Sequence, residues 1–164
     1  MSMIGNFLRV TNAELEAYLK DSSLLEDRIY NEDAEEDSAL IGIDKSWAGI
    51  IFLLTGQDLE TLSHPMKRVL FSGQYIDEEQ DLGYGPGEYL TPEQVKEVDT
   101  ELSKITVEEL TKRFDPERMT ALEIYPLVWK EEGILNYLLA YFEEVQLIYS
   151  TAARNNEAII TFIN

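Results

Sequence analysis

The chain has 164 residues, enough for one domain that buries a sizeable core without cross-links. It has no cysteine, so disulfides, thiolate metal sites and cysteine nucleophiles are excluded. Thirty-two acidic against 13 basic residues give a formal charge of −19, which repels nucleic-acid phosphates and anionic membranes.

The amino-terminal stretch 1–10 lacks a basic segment followed by an apolar run, so no secretory signal is expected. The longest apolar run, residues 48–54, falls far short of the roughly 20 residues of a membrane helix. A cytoplasmic protein is expected. The acidity itself suits solubility or a basic protein partner.

Residues 4–10 read as a strand carrying Ile4, Phe7, Leu8 and Val10. Thr11 with Glu14 forms a capping box, and Leu15, Tyr18 and Leu19 continue a helix to about Lys20. The acidic run 26–38 reads as a solvated loop or a frayed helix edge. Leu40, Ile41 and Ile43 are compatible with a short strand or with the entry to the next helix. Asp44 suits an N-cap for a buried helix marked by Trp47, Ile50, Ile51 and Leu54 and stopped at Gly56.

Residues 57–64 are polar and loop-like, and an apolar patch of undecided type follows at Met66 and 69–71. The glycine-rich segment 77–87 reads as a structured turn, followed by a short extended piece at Tyr89 and Leu90. Thr91-Pro92-Glu93-Gln94 is a second capping box and Thr106-Val107-Glu108-Glu109 a third. Asp115-Pro116 opens a further helical turn, broken at Tyr125-Pro126. A wide apolar stripe from Ile134 to Ala152 marks a long last helix, closed at Asn155 or Asn156. Residues 158–163 read as a terminal strand. The pattern predicts one compact, helix-rich α+β domain. Its small sheet includes the N- and C-terminal strands, paired on one side of the helices.

No chemical motif is complete. Lys45-Ser46 resembles the end of a phosphate-binding loop, but Asp44 stands where that loop needs glycine. Gly83 and Gly85 lack the third glycine of a dinucleotide turn, and Pro86 removes a donor. The acidic run around Asn31-Glu32-Asp33 lacks the central glycine of a calcium loop. His64 is the single histidine, so a tight zinc site is not expected. No metal and no cofactor are expected. Carboxylate chemistry is open with so many acids, and Asp44 and Glu123 adjoin apolar or aromatic neighbours able to raise a carboxyl pKa.

Four stretches, taken together and in order, resemble the YfbM-like family of small bacterial proteins of unknown function. They are Met3-Ile4-Gly5, Ile43-Asp44-Lys45-Ser46-Trp47 running to Gly56, Asp81-Leu82-Gly83-Tyr84-Gly85-Pro86 running to Pro92, and Glu123-Ile124-Tyr125-Pro126 with Trp129. The resemblance implies a compact α+β domain of bacterial origin and carries no catalytic residue with it. The same stretches place polar aromatics beside turns, a common feature of binding surfaces. Asp44, Trp47, Tyr84, Glu123, Tyr125 and Trp129 are therefore the candidate cleft. The residues favour a binding module for a basic protein, immunity- or inhibitor-like in one form, over catalysis. The alternative is a small-molecule binder or carboxylate-based enzyme using the same aromatic cleft.

Overall fold

Six residues of strand β1 (Gly5–Val10) pair antiparallel with six of strand β4 (Ala158–Ile163), from Gly5 opposite Ile163 to Val10 opposite Ala158. This terminal pair is the centre of a four-stranded antiparallel sheet in the computed structural model, which describes residues 2–164. Strand β2 (Leu40–Gly42) flanks β1 and strand β3 (Glu88–Leu90) flanks β4, giving the order β2-β1-β4-β3.

Alternation along the central strands divides the core. Phe7, Ile159 and Ile163 face one side, and Leu8, Val10, Ala158, Ile160 and Phe162 the other. The first face meets α3 (Trp47–Thr55), α4 (Pro92–Leu102), α5 (Val107–Arg113), α6 (Pro116–Ala121) and α7 (Ile134–Arg154). The second meets α1 (Asn12–Lys20), α2 (Ser23–Ile29) and the loop carrying Ile76 and Leu82. The sheet is thus covered on both faces, not on one as the sequence pattern suggested. The second cover comes from short, acidic elements with few apolar residues. In α2, Leu25 and Ile29 suffice, because the i, i+4 spacing puts both on the buried side.

Local signals set most helix ends. Thr11 and Glu14 form a reciprocal capping box on α1, and Thr91 and Gln94 do the same on α4. The third box is one-sided. Thr106 caps Glu109, but the Glu109 carboxylate turns to Arg113 on the next turn of α5. Helix α3 ends at left-handed Gly56, φ 69°, as its sequence predicts. Helix α6 stops at Ala121, four residues before the expected break at Tyr125-Pro126, and Glu123 then takes a positive φ of 53°.

Asp44 does not cap α3. It opens a 3₁₀ turn, Asp44–Ser46, at φ 52°, and its carboxylate accepts the Tyr137 hydroxyl at 2.7 Å. That bond ties the 3₁₀ turn after β2 to α7. Burial and the Asp44 charge raise the Tyr137 phenol well above its usual pKa.

Among the described residues, no helix is long and apolar enough to cross a membrane.

Candidate functional site

Met3 ties two of the candidate aromatics together. Trp47 Nε1 donates to the Met3 carbonyl at 2.9 Å, and the Met3 amide donates to the Tyr125 hydroxyl at 2.9 Å. The clamped rings stack with centroids 5.8 Å apart and an interplanar angle of 29°. Trp47 is supplied by the first turn of α3, and Tyr125 by the irregular segment after α6.

A cleft of about 480 Å³ opens over this pair. Ala48, Leu122 and Ile124 add apolar lining, and Asp58, Leu59, Glu60 and Glu123 add the loop side chains. The lining contains three carboxylates and no Lys, Arg or His. Among the described residues none of the three is in an ion pair. Asp58 accepts the Thr61 hydroxyl at 2.7 Å and the Thr61 amide at 2.9 Å, and these bonds hold its carboxyl below the usual range. It therefore stays ionised throughout the neutral range.

The surface continues past Leu59. Leu59 also lines a shallow groove of about 310 Å³ with Leu62, Lys67, Phe71, Gly73, Tyr75 and Glu88. Phe71 meets Trp47 edge-to-face at 6.1 Å. Phe71 and Glu88 in turn border a small depression with Tyr84 and Pro86. The Glu88 carboxyl is raised by burial, against the opposing pull of the Gly73 amide and Lys67. Leu59, Tyr75 and Tyr84 are 45%, 43% and 45% exposed, so large apolar side chains recur along this one face.

The six candidate residues accordingly divide. Trp47, Glu123 and Tyr125 share the cleft. Tyr84 stands further along the same face, reached through Leu59 and Phe71. Trp129 is a core residue, 1% exposed, with Nε1 donating to the Ile124 carbonyl at 2.7 Å. It supports the cleft wall from behind. Asp44 is turned to Tyr137 and does not line the cleft. The sequence reading missed Asp58, Leu59, Glu60, Phe71 and Tyr75. A leucine within the polar loop 57–64 was the available signal for Leu59, since a solvated loop has no structural need of one.

The geometry defines a class: a single α+β domain, its sheet covered on both faces, with an acidic, aromatic surface at one side. The family model described as "Domain of unknown function (DUF1877)" matches residues 1–162, and the chain belongs to that family. It is also similar to a solved structure, that of YfbM from Escherichia coli, a protein of unknown function. The match has a TM-score of 0.76 at 21% identity and covers 98% of this chain and 99% of that one. At that identity the likeness establishes the fold. No curated protein matches the chain.

Proposed function

We propose that this protein is a binding module that docks a basic protein partner across the face running from Tyr125 to Tyr84. The observation that carries this reading is the cleft lining: an aromatic wall beside Asp58, Glu60 and Glu123, with no cation among the lining residues. A lysine or arginine side chain entering there meets carboxylates that, among the described residues, no cation pairs with. Leu59, Tyr75 and Tyr84 supply exposed apolar anchors next to it, and the overall charge of −19 steers a basic partner toward the surface. An immunity- or inhibitor-like role against a basic toxin or nuclease is one form of this function.

The test compares three baits in native lysate: wild type, Glu60→Lys/Glu123→Lys, and Glu143→Lys/Glu144→Lys. The last pair makes the same charge change at exposed positions on α7. A partner held by wild type and by the α7 variant at about 150 mM salt, and lost by the cleft variant, supports the proposal. Equal retention by both variants shows that bulk charge alone collects basic proteins, and no retention by wild type at that salt removes the proposal altogether.

A further inference from the structure

The carboxy-terminal end of α3 carries a second cavity, of about 350 Å³, that shares no lining residue with the acidic cleft. In a chain with 13 basic residues and one histidine, it gathers Arg113, Arg118 and His64. Each is held by a separate bond. Arg113 Nη1 donates to the Leu53 carbonyl at 3.1 Å, and Arg118 Nη2 donates to the Gly56 carbonyl at 3.1 Å. Arg118 also lies over the Phe52 ring, 5.7 Å from its centroid. Those two carbonyls are three residues apart, so the guanidiniums are anchored within about one helical turn, roughly 5 Å.

Donors and acceptors in this cavity are unequally occupied. A guanidinium has five N–H donors. Arg118 uses one of them on the protein and has no carboxylate within ion-pair distance among the described residues. Arg113 uses one on Leu53 and one on Glu109. The His64 ring accepts the Met66 amide at Nδ1, which leaves the ring proton on Nε2 as a donor. Some acceptors are already engaged: the Leu53 and Gly56 carbonyls by the arginines, and one Asp115 oxygen by the Arg118 amide at 3.0 Å, where it caps α6. Asp115 and Glu109 reduce the local charge without removing the surplus of donors. Asp58 of the acidic cleft follows Gly56 by two residues and lowers the local positive charge further.

From this arrangement we infer that the cavity formed by Arg113, Arg118 and His64 binds the phosphate group of a small phosphorylated molecule. Two planar forks and an imidazole N–H, set on three separate segments around one cavity, offer donors from several directions, as the three free oxygens of a phosphate group can use. The volume lies in the range of small-molecule sites and leaves room for more than the phosphate alone.

The experiment follows backbone amide shifts during titration with methyl phosphate, with acetate and chloride at matched ionic strength as separate arms. Saturable shifts at His64, Arg113 and Arg118 with methyl phosphate alone are expected. Arg118→Gln weakens binding about tenfold or more, because one charge-assisted contact is removed. Arg118→Lys, which keeps the charge and loses the fork, gives an intermediate affinity and guards against a folding defect in the first variant. Equal shifts with acetate or chloride overturn the phosphate assignment. Wild-type affinity in both Arg118 variants, or no saturable shift in the wild type, overturns the site.

Discussion

Replacing Gly49 by alanine tests the packing behind the cleft. Gly49 lies within α3, where alanine is ordinarily the better helix former by about 1 kcal/mol. A Cβ at this position would stand 2.6 Å from Trp129 Cη2 and 2.8 Å from Leu138 Cδ2. Neither neighbour yields easily. Trp129 is 1% exposed and pinned by its bond to the Ile124 carbonyl, and Leu138 is fully buried on α7. Overpacking a closed core costs about 1–3 kcal/mol in ordinary cases, and contacts this short belong at the upper end. After the propensity gain, Gly49→Ala is expected to lose about 1–2 kcal/mol and to lower Tm by about 2–8 °C for a chain of this size. Urea and thermal unfolding read the change. The double variant Gly49→Ala/Trp129→Phe should lose about 1 kcal/mol less than the sum of the two single losses, because the smaller ring opens the space the methyl needs. A Gly49→Ala protein as stable as wild type would refute the close approach of α3 to Trp129. Strict additivity in the double variant would refute the assignment of the strain to that ring.

Other outcomes follow from individual bonds. Tyr149→Phe should lose about 1–2 kcal/mol in urea unfolding, since the fully buried Tyr149 hydroxyl donates to the Val69 carbonyl at 2.6 Å and its removal leaves that carbonyl without a partner. Thr91→Ala should cost about 1 kcal/mol by removing one half of the α4 capping box, and Gln94→Ala combined with it should add less than it does alone. The Arg28 guanidinium, hydrogen bonded to Asp37 at 3.0 Å, holds that carboxyl below the usual carboxylate range. A depressed folded-state pKa contributes stability that is present above the unfolded value and is lost as pH falls through the folded one. Asp37→Asn should therefore lose less stability than wild type as pH falls below about 5, and an unchanged loss there would remove the pair from the account.

What could be read from the sequence was whatever depends on neighbours along the chain. The boxes at Thr11 and Thr91 close between residues three apart, and the glycine stop at Gly56 needs only a backbone that tolerates positive φ. The terminal strands showed as apolar runs, and the stripe of α7 as a 3.6-residue period. The same local rules misplaced Asp44. A carboxylate ahead of a helix suits a cap, but Tyr137, 93 residues away, offers a hydroxyl that no local rule contains. Trp129 looked like a surface aromatic beside a turn until α3 presented a glycine to receive its ring.

The surfaces of interest belong to the tertiary structure alone. Trp47 and Tyr125 stack because both hydrogen bond to Met3, and Leu59 joins two clefts because its loop crosses between them. Arg113, Arg118 and His64 share a cavity only because the end of α3 lies between their segments and supplies the carbonyls that hold the two arginines. The amino-acid order by itself determined an acidic α+β domain, its main helices and its two terminal strands, since those rest on composition, period and caps. Which faces of the sheet are covered, which aromatics meet, and which charges remain without partners were decided by packing, because each depends on residues tens of positions apart being brought together.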